Sequence, residues 1–453
     1  MISEILQYID SVLWNGFLVY IIIITGLFLT IKLKGIQFRY LFKSIKLVFT
    51  RHDNKAQGDI TQFQSLMTAL AATIGIASIA GMATAIISGG FGAIFWMWVV
   101  ALIGMVTKYA EAILAVKYRQ VDKRNQMCGG PMYYIEKGLN QKWLAVLFAL
   151  FGSLASFAGG NMIQSQSISE AMHELFHMPP IVTGIILALL IAGVVFGGIR
   201  SLGKINAVLV PVMAVLYITG GLIILGLNFD KIPAGLYQIV HQAFNGRAVV
   251  GGFIGASVMS AIQMGIARGI SSNESGLGTA PIAAAAAKTD VPGRQALISM
   301  SGVFFSSFVV CTITVLVLAV TNVVGTLDEN GQILNGASLV MKAFSLVLPG
   351  GQWIVAIGLL LFGFSTILGY SYYGEKCVEY LFGQRLLLYY KILFIIVTFI
   401  GALLSINVVW PLADIFNGLM ALPNLIGIIL LSSIVKSETK AFVSLLREEK
   451  SKS

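Results

Sequence analysis

Long apolar runs fill most of this chain, and polar residues are concentrated in the segments between them. A run of about 20 apolar residues is long enough to cross a bilayer as a helix. The sequence therefore predicts eleven spanning helices, at about residues 14–33, 63–88, 91–118, 143–170, 181–198, 205–227, 249–287, 297–323, 353–373, 388–408 and 412–435. Shorter helices outside the spans are expected at 40–49, 233–243 and 337–345.

Composition supports an all-α, multi-pass membrane protein. The 453 residues are 57% hydrophobic and only 11% charged, whereas about a quarter of the residues of soluble domains are charged. With the spans drawn as above, about 25 of the 30 Lys and Arg fall on one side, as the positive-inside rule requires. We therefore expect a bacterial cell-membrane protein with its N-terminus outside and its C-terminus cytoplasmic. The net charge of +10 reflects this topology, so membrane lipid is an expected partner and nucleic acid is not.

Patterns typical of enzymes are missing from the sequence. Four histidines are scattered without metal-ligand spacing, and neither a phosphate-binding loop nor a nucleophile elbow occurs. The three cysteines are odd in number and far apart, which indicates reduced, structural thiols. We expect neither catalysis nor a cofactor.

The seventh apolar run has an unusually polar centre. Residues 268–281 include an arginine, a glutamate, three serines, an asparagine and three glycines. Lipid solvates neither charge nor freed backbone, so this centre must face protein or a water-filled cavity. Two half-helices that meet at an unwound middle would satisfy this requirement and offer binding groups. The alternative interpretation is a re-entrant loop or a kinked helix.

The second apolar run is also interrupted, by small residues around Gly75. It lies five spans before the seventh, a spacing that is typical of transporters built from two inverted repeats with the binding site between them. We accordingly predict an N-terminal helix and basic linker (1–61), two five-helix repeats (62–228 and 229–436) and a cytoplasmic tail (437–453).

Hydroxyl and carbonyl oxygens in these spans predict a sodium site. Ser365 and Thr366 are adjacent hydroxyls in an apolar helix, and a break near Gly75 would free nearby carbonyl groups. Together the proposed Na⁺ ligands come from Ala71, Ile74, Phe362, Ser365 and Thr366. The alternative is that both hydroxyls bond back to carbonyl groups of their own helix, which is common.

No carboxylate lies beside Gly75, so a zwitterion fits this region better than a cation. Half-helix N–H groups would bind its carboxylate, and carbonyls and hydroxyls its ammonium group. The predicted cavity lining is Thr73, Gly75, Ala77, Ser78, Gln164, Ser271, Asn273 and Tyr370. For Gln164 and Tyr370 an interhelical hydrogen bond is an equal alternative. Lys108, Glu111, Arg268 and Glu274 are interpreted as structural pairs or gates.

Several motifs resemble the alanine or glycine:cation symporters, a family of sodium-coupled amino-acid carriers. They include Gly89-Gly90-Phe91-Gly92-Ala93-Ile94-Phe95-Trp96-Met97-Trp98, Met105-Val106-Thr107-Lys108-Tyr109-Ala110-Glu111, Gly129-Gly130-Pro131-Met132-Tyr133-Tyr134, Ala267-Arg268-Gly269 with Ser272-Asn273-Glu274, and Phe364-Ser365-Thr366-Ile367-Leu368-Gly369. The resemblance covers nearly the whole chain. It implies the leucine-transporter fold with one extra N-terminal helix, alternating access and Na⁺ coupling.

Departures from this family fall at the expected site. Gly75-Ile76-Ala77-Ser78 replaces the family's Gly-Thr-Gly-Asn, and Ser271 and Tyr370 replace a phenylalanine and a tryptophan. Gln166 and Ser306 stand where the family has an asparagine and an aspartate. The resemblance implies a small neutral amino acid such as alanine or glycine as substrate, with a larger one such as glutamine as the alternative.

Other functions remain open at this level. A proton-coupled carrier or an exchanger would keep the same fold, and a transporter-like nutrient sensor would bind without net transport. A membrane enzyme is the least favoured. The sequence leaves the oligomeric state undetermined and is compatible with a monomer.

Overall fold

The computed structural model of the protein describes residues 2–50, 56–245, 257–328 and 331–452, and these are almost entirely helical. Within these ranges the only sheet is a hairpin of β1 (Gln120–Val121) and β2 (Met127–Cys128). The predicted features at 51–55, 246–256 and 329 lie outside the described residues.

The N-terminal region forms a long rod followed by a sharp bend. A π-helical turn (Trp14–Leu18) joins α1 (Ile2–Leu13) to α2 (Val19–Lys32), so that the rod runs without a break. Lys34 and Gly35 both adopt left-handed conformations, with φ 55° and 63°, which glycine adopts more readily than other residues. As a result α3 (Ile36–Phe49) leaves α2 at 85°.

The first predicted repeat begins with an interrupted helix, and another π-helical turn (Ala158–Met162) joins two helices farther along. Its helices are α4 (Gln62–Thr73), α5 (Ala80–Gly89), α6 (Gly92–Lys117), α7 (Pro131–Leu139), α8 (Lys142–Phe157), α9 (Ile163–Phe176), α10 (Pro180–Val195) and α11 (Gly198–Leu227).

The second predicted repeat has a corresponding interruption between α13 and α14, and a π-helical turn (Phe304–Cys311) joins α15 to α16. Its elements, with the C-terminal helix, are α12 (Ile232–Asn245), α13 (Val258–Asn273), α14 (Ala280–Ala285), α15 (Pro292–Val303), α16 (Thr312–Thr321), α17 (Gly336–Val347), α18 (Gly351–Phe382), α19 (Leu387–Leu403), α20 (Ile406–Leu430) and α21 (Ser432–Lys452).

The number of helices that cross the membrane depends on whether two helices separated by a break are counted as one span or as two. Seven described spans are long and apolar enough to cross a bilayer when α8–α9 and α15–α16, each joined by a π-helical turn, are counted as one helix each. Counting the bent pair α2–α3 as one more gives eight. The interrupted pairs α4–α5 and α13–α14 consist of pieces too short to span alone. The all-α membrane architecture is therefore confirmed, and the count of eleven stays a prediction.

The last helix, α21, was not expected as an element. The sequence analysis ended the last span at about residue 435 and assigned residues 437–453 to a cytoplasmic tail. Val435, Phe442 and Leu446 recur at helical spacing and are buried against the bundle. These three contacts hold α21 against α15 and α6.

Two groups of packed helices enclose the centre of the bundle. The residues of α6 are mostly buried, with α13 and α15 packed against it. On the other side of the centre, α4 packs on α11 and α18. The short 3₁₀ turn Ile76–Ser78 between α4 and α5 contacts α13, which brings the two interrupted helices together at the same place.

Candidate functional site

The interruption after α4 exposes backbone N–H groups. A capping box between Thr61 and Gln64 starts α4, and the last regular bond runs from the N–H of Ile74 to the carbonyl of Leu70 at 2.7 Å. Gly75 is then fully extended (φ −107°, ψ −161°).

The turn that follows leaves donors unused. Its hydrogen bonds use the N–H groups of Ser78 and Ile79. Among the described residues, the N–H groups of Gly75, Ile76 and Ala77 have no partner. Consecutive free N–H groups of this kind form a binding site for an anion such as a carboxylate.

Gly75 also permits a close approach between two helices. A Cβ built at this residue would lie 2.8 Å from Oγ1 of Thr366 and 3.6 Å from Oε1 of Gln164. The first distance is shorter than carbon and oxygen atoms tolerate without moving. A residue without a side chain is therefore required where α4 ends against α18.

The interruption after α13 exposes carbonyl groups instead. Glu274 ends the helix in a left-handed conformation with φ 54°. The N–H of Ser275 then binds Oδ1 of Asn273 at 2.9 Å, rather than the carbonyl of Ser271 that it would bind in a continuing helix. The carbonyl groups of Ser271 and Ser272 are thus left at a helix C-terminus, where a positive charge is stabilised.

A cavity of about 40 Å³ lies between the two interruptions. One buried water needs about 10–15 Å³ measured in this way, so the cavity has room for a few waters or a small solute. Its lining comes from α4, the turn after it, α8–α9, α13, α18 and α20, and consists of Ala72, Gly75, Ala77, Gly159, Ile163, Gln164, Ser271, Glu274, Thr366, Tyr370, Trp410, Asp414 and Asn417.

Three lining side chains have polar atoms without partners in the described part of the chain. Gln164 donates from Nε2 to the carbonyl of Gly159 at 3.1 Å, and its Oε1 is buried and unpaired. Oδ1 of Asn417 and Nε1 of Trp410 are also buried and unpaired. Because unpaired buried polar atoms are costly, these two acceptors and one donor indicate a polar ligand.

The predicted substrate residues divide into two groups. Gly75, Ala77, Gln164, Ser271 and Tyr370 line the cavity. The other three do not line it and make internal bonds: Thr73 donates to Ala69 O at 3.1 Å, Ser78 donates to Thr73 O at 3.2 Å, and Asn273 carbonyl accepts from Lys108 Nζ at 3.0 Å.

Four of the five predicted sodium ligands, all except Ile74, are connected around Thr366. Its Oγ1 lies 2.7 Å from Ala71 O on α4 and 2.8 Å from Phe362 O on its own helix. Ser365 Oγ donates to the same Phe362 carbonyl at 2.9 Å. The back-bonding alternative is therefore present for both hydroxyls. The Thr366 hydroxyl has one proton and can donate it fully to only one of these two carbonyls. The oxygens around Thr366 therefore retain lone pairs that suit a hard cation.

Buried charged groups surround the interruption after α13, although not as the predicted pair. Lys108 Nζ donates to Asn273 O, whereas Glu111 Oε1 accepts from Nδ2 of Asn424 at 2.7 Å. The described contacts contain no salt bridge between Lys108 and Glu111. Glu274 accepts hydrogen bonds from Tyr370 and Thr279. Its carboxylate is thereby held at the wall of the cavity, which Asp414 also lines. The expectation from the sequence that no carboxylate lies beside Gly75 therefore does not hold for the folded cavity.

The cavity is closed on its predicted outer side by an ion pair. Arg268 Nη2 lies 3.1 Å from Asp414 Oδ2, and its guanidinium stacks over the ring of Trp410 at 4.8 Å. Trp14 of the N-terminal rod donates to the backbone carbonyl of Asp414 at 3.0 Å. Asp414 and Trp410 line the cavity, so this ion pair forms part of its wall.

On the predicted cytoplasmic side, Arg119 closes the region below α14. Its two terminal nitrogens donate to the carbonyls of Ala285, Ala287, Gln57 and Thr289 at 2.5–3.1 Å. Burial lowers the pKa of this guanidinium, and the nearby carboxylates of Asp290 and Asp59 oppose the shift. Because arginine stays protonated in proteins, the four carbonyl groups bind a guanidinium cation.

Sequence reasoning missed the contribution of α20 to the cavity. Trp410, Asp414 and Asn417 recur at spacings of four and three, which places them on one helix face. The sequence analysis did not select them because the last predicted span, at about residues 412–435, is mostly apolar. A carboxylate near the end of a membrane span was the available signal, since such residues are usually functional.

Interrupted helices around a closed polar cavity define the class of membrane-embedded secondary transporters. The sequence profile of the sodium:alanine symporter family matches residues 1–453. The chain belongs to this family, which makes it a sodium-coupled amino-acid symporter.

Two curated relatives cover nearly the whole chain. The sodium/alanine symporter AgcS of Methanococcus maripaludis is 50% identical over 454 residues, covering 98% of each protein. The probable sodium/glutamine symporter GlnT of Bacillus subtilis is 35% identical over 448 residues, covering 97% of this chain and 91% of GlnT.

Solved structures show the same fold at low identity. MhsT in complex with L-phenylalanine matches with a TM-score of 0.60 and 16% identity, over 85% of this chain and 93% of MhsT. A mutant of the Eremococcus coleocola manganese transporter matches with a TM-score of 0.55 and 16% identity, over 81% and 78% of the two chains. The predicted leucine-transporter fold is confirmed.

Proposed function

We propose that this protein carries a small neutral amino acid together with Na⁺, by alternating access to the cavity between α4 and α13. The observation that carries the proposal is the pairing of opposite polarities across that cavity. Free N–H groups at Gly75, Ile76 and Ala77 would bind the substrate carboxylate. The carbonyls at the end of α13 and Oε1 of Gln164 would bind its ammonium group.

The coupling ion would bind directly beside the substrate. Gly75 contributes to the cavity and also lies against Thr366, around which the oxygens of Ala71 and Phe362 converge. An ion held by Ala71, Ile74, Phe362, Ser365 and Thr366 would fix the end of α4. The N–H groups that bind the carboxylate would then be ordered by the ion, and binding free energy would be shared between the two.

Cavity size supports a small substrate. About 40 Å³ is a small space for a bulky side chain. The relative AgcS is named for alanine, and GlnT for glutamine. Glutamine stays the second candidate because Ser271 is small at a position where the resembling family has phenylalanine.

Uptake into proteoliposomes tests both parts of the proposal. We expect an inward Na⁺ gradient to drive accumulation of labelled alanine or glycine more strongly than glutamine. Accumulation driven equally well by a proton gradient without Na⁺ would overturn the sodium coupling. Preferential accumulation of glutamine would leave the coupling intact and overturn the substrate assignment.

A further inference from the structure

A strongly basic cleft lies at the predicted cytoplasmic surface, away from the transport cavity. It occupies about 280 Å³ between the bend that joins α2 to α3 and the C-terminal helix α21. Its lining contains six cationic side chains and no carboxylate: Lys32, Lys34, Arg39, Lys436, Lys440 and Arg447. We call this feature the basic cleft.

Charge in the basic cleft is not balanced by nearby acidic groups. Residues 11–52 contain no Asp or Glu. On α21, Glu438 pairs with Lys117 and Glu449 pairs with Arg294 at 2.5 Å, and neither these carboxylates nor Glu448, the third on this helix, line the cleft. Lys32 Nζ donates to the neutral Ser432 Oγ at 2.7 Å. Like charges gathered in this way repel one another, so a bound anion would stabilise the arrangement.

Apolar side chains adjoin the basic cleft on the surface of α2 and α3. Ile31 is 79% exposed, and on α3 Phe38 and Phe42 are 59% and 86% exposed. Because α3 turns 85° from the spanning direction of α2, it lies where an amphipathic helix rests in the membrane interface. Exposed aromatic residues at that level are expected to contact acyl chains.

We propose that the basic cleft binds the headgroup of an anionic phospholipid of the cytoplasmic leaflet. The phosphodiester lies between Arg39 of α3 and the cations of α21, and the acyl chains extend along Phe38 and Phe42. Basic pockets at this depth are typical of sites for anionic lipid headgroups. A soluble phosphate would satisfy the cations but would leave the aromatic residues without a partner. The lipid thus connects the N-terminal helices to the C-terminal helix.

Native mass spectrometry of the full chain tests this proposal. The purified protein is stripped of lipid in detergent and titrated with phosphatidylglycerol or with phosphatidylcholine of the same acyl chains. We expect at least about tenfold tighter binding of phosphatidylglycerol. Inorganic phosphate at equal concentration should not displace it. Equal binding of the two lipids, or complete displacement by phosphate, would overturn the lipid assignment.

Variants locate the site. Replacing Arg39→Gln, Lys436→Gln and Arg447→Gln together should abolish the preference for phosphatidylglycerol. The matched control, Lys123→Gln, Lys142→Gln and Lys204→Gln, removes three exposed charges from the same predicted side outside the cleft, and should retain it. Loss of the preference in both triple variants, or in neither, contradicts the proposal. If the first triple variant does not fold, Arg39→Gln alone is compared with Lys142→Gln by the same criterion.

Discussion

The side-chain amide of Gln164 uses its nitrogen in a hydrogen bond and leaves its oxygen unpaired. Its nitrogen binds the carbonyl of Gly159 at 3.1 Å in the π-helical turn, which fixes the orientation of the side chain. Its oxygen is consequently directed toward Gly75 and remains unpaired. At the residue scale, the proposed recognition of the substrate would depend on an acceptor whose position is set by a distortion of its own helix.

Replacing Gln164→Leu removes this acceptor at similar volume. A hydrogen bond to a charged group contributes about 1.5–3 kcal/mol, so we expect the KM for the amino acid to rise roughly tenfold or more. The Na⁺ concentration for half-maximal uptake should change much less. Gln164→Glu keeps an oxygen but loses the Nε2 donor to the Gly159 carbonyl, so it should not restore the affinity. An unchanged KM in Gln164→Leu would show that Oε1 does not contact the substrate.

Thr366 provides the corresponding test for the ion. In Thr366→Ala one of the five proposed Na⁺ ligands is lost, and we expect the half-maximal Na⁺ concentration to rise about tenfold or more, for a contact worth about 1.5–3 kcal/mol. Ser371→Ala is the matched control, because Ser371 on the same helix only bonds back to Leu368 at 2.7 Å. The same Na⁺ dependence in Thr366→Ala, Ser371→Ala and the unmodified protein would exclude Thr366 as a ligand.

At the scale of the element, glycine is needed at the end of α4 because of its contact with α18, and not because of backbone strain. Gly75 is extended, and any residue adopts that conformation. What requires glycine is the approach to Thr366, whose Oγ1 is held by two carbonyls and cannot turn aside. The sequence predicted an interruption here from its small residues, but the reason for glycine became clear only from the helix that packs against it.

Gly75→Ala should therefore weaken the binding of both Na⁺ and the amino acid. Its Cβ would lie 2.8 Å from Thr366 Oγ1, and relief of such overpacking typically costs about 1–3 kcal/mol. We expect uptake at limiting Na⁺ and amino acid to fall at least several-fold. Gly81→Ala is the control, because its Cβ would meet Ala77 at an ordinary 3.6 Å. Equal activity of the two variants would contradict the proposed contact.

Elements also differ in how far the sequence could predict them. The two interruptions were predictable because Gly75 and Glu274 lie inside apolar runs, where freed backbone or charge needs a special explanation. The helix α21 was not, because its three buried apolar residues are widely separated in a polar segment. The role of α20 was missed because its sequence is largely apolar, so the few residues on the face that carries Asp414 did not stand out.

Over the whole molecule, arginines of different kinds connect segments on the two predicted sides of the cavity. Arg268 closes the predicted outer side through an ion pair with the carboxylate of Asp414 at 3.1 Å. Arg119 closes the predicted inner side through four backbone carbonyls. The outer contact joins α13 to α20, whereas the inner one joins the segment after α14 to the segment before α4. Opening one end therefore need not break the contacts that close the other.

A cysteine in the cavity tests whether the two closures act separately. Ser271→Cys is placed in a background in which the three native, buried cysteines are replaced by serine. Adding Asp414→Asn weakens the outer ion pair, so we expect a membrane-impermeant thiol reagent to modify Cys at this position at least several-fold faster from outside. Adding Arg119→Gln removes the inner contacts and should instead accelerate modification from inside, measured in inverted vesicles. Each variant is the control for the other, and acceleration from the same side in both would contradict the assignment of the two arginines to opposite ends.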